Sequence, residues 1–293
     1  ATGAGWSVSR YMSVPLLKLK TVTEKMADGD LSVRADIDRD DELGVLARVF
    51  NNMAQRIEET VVTLRRFVAD AAHELHTPLT ALQTNLELAV DERETEVRQA
   101  YIQRAHMQVK RLESLTDGLL DLSRIEARMT DAPHERLVFT RVVQEVSEIY
   151  ASRSEQAEVN FDLDLPEKSI VVCGNEVQLR RVLNNLLDNA LKFTPPGQTV
   201  ALSLRGDGQF VWVIVRDSGI GIPDEELPFI FDRFHRCRNA ADYSGSGLGL
   251  AIVKGIVAAH SGEITARSAL PGTEFIMRIP LETVTRSQVL HTV

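Results

Sequence analysis

Long apolar runs are missing from this chain. No stretch of its 293 residues reaches the roughly 18 consecutive apolar positions that a bilayer-spanning helix needs, and no secretory-leader pattern opens it. A surplus of positive charge is missing too. The net charge of −9 excludes a broad nucleic-acid-binding surface. Cysteine is scarce: Cys173 and Cys237 lie far apart in different contexts, the pattern of free thiols in a reducing compartment rather than of a disulfide framework. Internal repeats and low-complexity tracts are lacking as well. What is present is a balance of 44% hydrophobic and 26% charged residues over a length sufficient for two or three domains.

Ala1 stands where an initiator Met would, and residues 1–5 carry no pattern, so the start reads as an internal point of a longer chain. Trp6 and Tyr11 beside Arg10, Lys18 and Lys20 suit the cytoplasmic edge of a membrane helix; an ordinary amphipathic helix is the alternative. Residues 12–26 hold a short apolar period, Leu16, Leu19, Val22 and Met26, which Gly29 stops. An extended connector then leads to Asp41-Glu42-Leu43-Gly44, with acids where a helix dipole favours them. Two short helices joined in this way, with Pro15 and Asp41-Glu42-Leu43-Gly44, resemble a HAMP signal-relay module. The resemblance implies a parallel four-helix bundle in a dimer.

The second helix carries Leu43, Leu46, Phe50, Met53 and Ile57 at heptad spacing. The seam continues through Val61, Leu64, Val68, Ala71 and Leu75, with a stutter at Ile57–Val61 where one four-residue step follows another. The pattern predicts a helix unbroken from about Leu43 through His73. Pro78, which costs a helix interior about 3 kcal/mol, predicts a local bend before Leu82, Leu86 and Ala89 resume the seam. After a charged turn at 91–96, a second long helix is expected over 95–128, with Ile102, Val109, Leu112, Leu115, Leu119 and Leu122 inward. Two long helices with a short connection form an antiparallel hairpin. One hairpin has too little core alone, so two are expected to pair as a four-helix dimer.

Residues 129–135, with Pro133, read as a linker and 284–293 as a tail. Between them helices and strands alternate. Helices are predicted over 139–156, 176–193 and 247–261; strands over 159–165, 169–173, 199–205, 209–217, 263–268 and 274–279. Neighbouring strand pairs with tight turns argue α+β rather than a doubly wound parallel sheet.

Four motifs follow one another along this frame. His73-Glu74-Leu75-His76-Thr77-Pro78 lies in the first long helix. Asn185-Leu186-Leu187-Asp188-Asn189, with Lys192 and Phe193, lies in the helix over 176–193. Asp217-Ser218-Gly219-Ile220-Gly221 ends a strand, and Gly245-Ser246-Gly247-Leu248-Gly249 opens a helix. In this order and spacing they resemble the sensor histidine kinases of two-component systems, and Phe231-Asp232-Arg233-Phe234-His235-Arg236 matches that family's phenylalanine box. The resemblance covers nearly the whole chain. It implies a multidomain protein: a HAMP relay over 1–60, a dimeric helical hairpin over 61–128, and a GHKL (Bergerat-type) ATP-binding α+β sandwich over 136–283.

Helical geometry places His73 about 200° from Ala71 and about 160° from Leu75. Both neighbours lie on the seam, so His73 faces outward, with His76 and Thr77 on its stripe. A neutral imidazole is a nucleophile toward phosphoryl groups, and an adjacent carboxylate such as Glu74 can take its other proton. The resemblance makes His73 the phosphoacceptor, Glu74 the assisting acid and Thr77 the residue that positions water for dephosphorylating a partner. His76 stands where the family usually has arginine and is a rival acceptor.

Asn185 and Asn189 share one helix face, and an amide oxygen beside a triphosphate suits Mg²⁺. By resemblance Asn189 is the main Mg²⁺ ligand and Asn185 supports it. Lys192 would neutralise phosphate charge, and Phe193, where tyrosine is common, would pack on the nucleoside. Asp217 would accept a hydrogen bond from the exocyclic amine of adenine, with Gly219 and Gly221 letting backbone approach the base. Gly245, Gly247 and Gly249 free backbone N–H groups for phosphate, and residues 237–244 read as a lid. Arg233 or Arg236 either reaches the γ-phosphate or is a solvated charge. The whole implies an ATP-dependent protein-histidine kinase that passes its phosphoryl group to an aspartate on a response regulator receiver domain. It would be a homodimer and the cytoplasmic portion of a bacterial inner-membrane protein, anchored through a region absent from this chain. A nucleotide-sensing scaffold and a GHKL ATPase of the gyrase or mismatch-repair type are the rivals.

Overall fold

The computed structural model describes residues 2–126, 135–240, 243, 245–269 and 271–281. The expected tail, and the expected linker apart from Glu135, lie outside them, as do the side chains of Trp6, Arg10 and Tyr11. Contacts divide the chain into two compact units, Ala1–His73 and Glu74–Val293.

In the first unit α1 spans Thr2–Ala27 with Pro15 inside it. It begins well before the expected residue 12, because residues 2–11 carry no apolar period to announce it. Gly29, at φ +100°, ends the helix. The Asp30 N–H donates to the Lys25 carbonyl at 3.0 Å and the Gly29 N–H to that of Met26 at 3.0 Å, the bond pair of a Schellman motif. The connector is clamped by Asn51, whose side chain accepts from the Ala35 N–H at 2.8 Å and donates to the Ala35 carbonyl at 3.0 Å. Leu19, Ala35 and Ala47 form the buried centre, flanked by Val22, Ile37 and Phe50. At the start of α2, Asp41 Oδ1 accepts the Gly44 N–H at 3.2 Å. A Cβ on Gly44 would collide with the Arg39 carbonyl, which is the physical content of the Asp-Glu-Leu-Gly signature.

Helix α2 runs over Glu42–Asp91 and continues through Pro78. Ala47 and Ala54 are fully buried, whereas Leu46, Met53, Ile57, Leu64 and Val68 of the heptad seam remain exposed in the single chain. No helix among the described residues is long and apolar enough to cross a membrane.

In the second unit, α3 covers Thr95–Glu126 and buries Ala105, Leu115 and Leu122. A short strand β1 (Glu135–Val138), starting where the sequence suggests linker, pairs antiparallel with β3 (Val171–Gly174). Helix α4 occupies Phe139–Gln156 and α5 occupies Glu176–Phe193. The main sheet orders β2 (Asn160–Asp164), β4 (Thr199–Gly206), β5 (Phe210–Asp217), β7 (Thr273–Pro280) and β6 (Glu263–Ser268) side by side. The β2–β4 pair is parallel and the others antiparallel. Helix α6 spans Gly249–Ala259.

The strands alternate as the period-2 rule requires. Val200, Leu202 and Leu204 of β4 and Val211, Val213 and Val215 of β5 are buried. Leu179, Leu183, Leu186 and Leu187 of α5 are fully buried as well, at the three- and four-residue intervals of a core-facing helix. This is an α+β sandwich of helices on a mixed sheet. Helix α3 packs on α6, where Gly118 leaves room for Leu248, whose Cδ1 would stand 3.0 Å from a Cβ there, and Asp121 of α3 pairs with Arg181 of α5.

Candidate active site

The register of the sheet decides where the second unit opens. Asp217 ends β5 opposite Thr273, the first residue of β7, and α5 delivers its last turn, Lys192 and Phe193, beside them. A cavity of about 320 Å³ forms there. Asn185, Asn189, Lys192, Phe193, Asp217, Gly221, Arg236, Gly245, Gly247 and Gly249 all contribute to its wall. Residues from four separated sequence motifs thus meet in one place. Gly219 and Arg233 are not among the lining residues. At Gly219 a Cβ would collide with the Phe193 carbonyl, and the Ile220 N–H donates to that same carbonyl at 3.2 Å. This glycine lets the end of β5 dock on the end of α5.

The cavity has two chemically different parts. Ile220, within the Asp217 motif, supplies apolar surface together with Ile222, Ile230, Leu250 and Phe275, which the motifs did not disclose because these four are scattered and individually ordinary. Within it sits Asp217, only 4% exposed. Its Oδ1 accepts the N–H of Gly219 at 3.0 Å and of Thr273 at 3.2 Å. Burial raises its pKa above the usual carboxylate value, and the two N–H groups pull against that shift.

The second part is cationic. The Lys192 ammonium lies 4.5 Å from the centre of the Phe193 ring. Its pKa is lowered, first by burial and then by the positive charge of Arg236. Two cations facing one cavity call for an anion. Arg236 is held by the carbonyls of Ala240 and Tyr243, at 3.2 and 2.6 Å. The Tyr243 ring also packs against that of Phe193 at a tilt of 59°, with centroids 4.9 Å apart, a contact that the motifs missed. Of the expected lid, residues 241, 242 and 244 lie outside the described set.

The glycine loop explains itself sterically. Gly247, at φ +69°, would bring a Cβ within 2.6 Å of the Phe234 carbonyl carbon. The Phe234 N–H donates to the Gly247 carbonyl at 2.9 Å, so the phenylalanine box and the glycine loop are locked backbone to backbone. Phe234 itself adopts φ +61°, a conformation non-glycine residues hold only when the surroundings impose it. A Cβ on Gly249 would stand 2.8 Å from Asn185 Oδ1. Leu248, the N-cap of α6, makes no side-chain cap bond, and Ser246 Oγ accepts the Leu248 N–H at 3.4 Å, so the first N–H groups inside α6 can serve a ligand.

His73, His76 and Thr77 are exposed on α2 and Pro78 is buried, as the outward stripe predicts. Thr80 Oγ1 lies 3.4 Å from His76 Nδ1 and donates to the His76 carbonyl at 3.0 Å. Glu74 Oε2 stands 3.9 Å from an Arg111 guanidinium nitrogen of α3.

Three family models match the chain. They are the HAMP domain over residues 7–59, the His Kinase A (phospho-acceptor) domain over 63–128, and the histidine kinase-, DNA gyrase B-, and HSP90-like ATPase over 174–283. The chain belongs to the two-component sensor histidine kinases. Its sequence is 34% identical to the signal transduction histidine-protein kinase/phosphatase MprB of Mycolicibacterium paratuberculosis, over 96% of this chain and 55% of that protein. The chain therefore spans about half the length of the curated relatives it matches. Among solved histidine kinases, AdeS of Acinetobacter baumannii superposes with a TM-score of 0.58 at 27% identity, over 72% of this chain and 98% of that one. Full-length ShkA in complex with AMPPNP does so with a TM-score of 0.53 at 26% identity, over 76% of this chain and 46% of that one.

Proposed function

We propose that this chain binds MgATP in the cavity of its second unit, transfers the γ-phosphoryl group to His73, and passes it to an aspartate of a response regulator receiver domain. The observation that carries this reading is the convergence of Asn185, Asn189, Lys192, Asp217, Arg236 and the glycine loop on one cavity, in a chain that also exposes His73 on α2. The AMPPNP bound by ShkA supports an adenine nucleotide as the ligand.

Each group then has a task. Asp217 presents its second carboxylate oxygen, Oδ2, to the adenine amine, because both backbone bonds go to Oδ1. Guanine carries no amine at that position, so the same oxygen selects against it. Lys192, Arg236 and the α6 N-terminus take the phosphates. The donor chemistry also fits Mg²⁺. Asn185 Nδ2 donates to the Arg181 carbonyl at 2.9 Å, which leaves its oxygen for the side of the cavity near Gly249. Asn189 offers a second amide oxygen one turn on. The metal would neutralise phosphate charge. His73 Nε2 attacks phosphorus, Glu74 draws on the other ring nitrogen, and ADP leaves. Catalysis is mostly positioning and charge stabilisation.

The exposed seam of α2 supports dimerisation, with HAMP over 1–60, the phosphotransfer hairpin over 61–128 and the ATP-binding domain over 136–283. The HAMP match supports a place on the cytoplasmic side of a membrane sensor. The name of the MprB relative supports a second activity, dephosphorylation of the regulator, with Thr77 orienting water.

Incubation with γ-labelled ATP tests the reading. Acid-labile label on His73, lost in His73→Gln with nucleotide affinity retained, is the expected result. Undiminished label in His73→Gln, mapped to His76, would reassign the acceptor. Label with no change in regulator dephosphorylation by Thr77→Ala would remove Thr77 from the phosphatase step.

A further inference from the structure

Beyond the residues given roles above, one cluster brings soft ligand chemistry together. Glu226 precedes the turn at Leu227–Phe229; His235 lies near the end of the phenylalanine box and Cys237 just after it. Their ligand atoms, one carboxylate oxygen, one imidazole nitrogen and one sulfur, all lie within 4.8 Å of one another. The carboxylate is fixed by the Arg238 N–H, which donates to both of its oxygens at 3.2 Å. The Phe229 ring, 6.2 Å from that of His235, limits the imidazole. His235 Nε2 is 3.7 Å from Glu226 Oε2, too far for a hydrogen bond. That nitrogen is buried without a hydrogen-bond partner among the described residues. Buried polar atoms are nearly always satisfied, and an orphan calls for an explanation such as an ion.

We propose that Glu226, His235 and Cys237 bind one divalent cation of the Zn²⁺ class at the edge of the nucleotide cavity. A tetrahedral Zn²⁺ with bonds of about 2.0–2.3 Å holds its ligands roughly 3.3–3.8 Å apart. The His235–Glu226 separation already has that value, and with all three ligand atoms within 4.8 Å of one another closure at the sulfur needs at most a shift of about 1 Å. Water takes the fourth position. On binding, the Cys237 thiol releases its proton to solvent, and a sulfur–metal bond replaces the S–H donation to Glu226.

Mixed sulfur, nitrogen and oxygen ligands select a borderline transition metal over Mg²⁺, which wants oxygen alone. The site is therefore separate in kind from the one read at Asn185 and Asn189. His235 and Cys237 also line the nucleotide cavity. A bound cation would tie the Glu226 segment to the cavity wall, so metal occupancy and nucleotide affinity are thermodynamically linked.

The test uses the full chain, chelator-stripped and free of nucleotide, titrated with Co²⁺ as a spectroscopic probe and then with Zn²⁺. One Co²⁺ per chain with a sulfur-to-cobalt charge-transfer band, bleached by one equivalent of Zn²⁺, is expected. Cys237→Ser and Cys237→Ala should both lose the band while melting as wild type does. His235→Gln and Glu226→Gln should each weaken Zn²⁺ binding at least about tenfold. Cys173→Ser should keep the band. No band in the wild type, a band surviving in either Cys237 variant, or a band lost in Cys173→Ser would overturn the assignment.

Discussion

Glu74 of α2 and Arg111 of α3 face each other, with Glu74 Oε2 3.9 Å from the guanidinium. Arg111 Nε is buried and has no hydrogen-bond partner among the described residues, and Glu74 is the carboxylate that faces this guanidinium, so we propose that the arginine helps to position the acid next to His73 in sequence. Because the pair is loose and partly exposed, its value is positional rather than a matter of stability.

Glu74→Gln should therefore lower the rate of His73 phosphorylation by about 10²-fold and leave nucleotide affinity unaltered. Arg111→Ala should lower it by less, since it removes only the orientation of the acid. Single-turnover labelling of both variants checks this. A wild-type rate in Glu74→Gln would take the acid out of the chemistry.

Asn189→Ala and Asp217→Asn should fail in different ways. The first removes an amide oxygen from the phosphate side of the cavity, so phosphoryl transfer collapses while affinity for the nucleoside part survives. The second turns the oxygen proposed to face the adenine amine into a donor, so ATP affinity should drop and discrimination against GTP should narrow. Calorimetric titration with ATP and GTP separates the two. Wild-type ATP affinity and selectivity in Asp217→Asn would show that the carboxylate does not read the base.

The elements with strong period were readable from sequence, and the reasons for the failures are physical. Helices α4 and α5 carry unbroken apolar stripes between clear breakers and match their expected limits. Strand β1 is four residues long and abuts α4, too short to show alternation. In α2 the large residues Leu46, Met53 and Ile57 stand out as a seam, yet the chain's own burial falls on Ala47 and Ala54. Alanine fits a close helix approach but adds little to a hydrophobic pattern. Pro78 interrupts the pattern without ending the element, because α2 continues as helix past it. In the cavity, glycines, amides and Asp217 stand out because their chemistry is specific. Ile222, Ile230 and Phe275 do not, since only the folded chain gathers them.

Gly247→Ala and Gly208→Ala make a controlled pair. Both glycines have positive φ, +69° and +91°. A Cβ at Gly208 meets nothing within 4 Å, while one at Gly247 meets Phe234 backbone at 2.6 Å. Gly208→Ala should thus cost only the backbone term, about 1 kcal/mol. Gly247→Ala should cost more, and it should also weaken nucleotide binding by separating the glycine loop from the phenylalanine box. Equal melting shifts with unchanged nucleotide affinity would mean that the loop relaxes freely.

Asp217 also makes a prediction about pH. Its folded pKa lies above the ordinary 3.8, chiefly because burial penalises the charged form. Between those two values the folded state holds more protons than the unfolded one, so the contribution of this group to stability falls as pH rises through that window. Above the raised pKa the cost of the buried charge is fully present; below 3.8 it is absent. A neutral amide in its place carries no such term, so the melting temperature of Asp217→Asn relative to wild type should climb from acid toward neutral pH. Measuring both proteins without nucleotide isolates the effect, since every other titrating group is shared and cancels in the difference. A relative melting temperature that falls toward neutral pH would mean that the Gly219 and Thr273 N–H groups outweigh burial and that the carboxylate is held ionised.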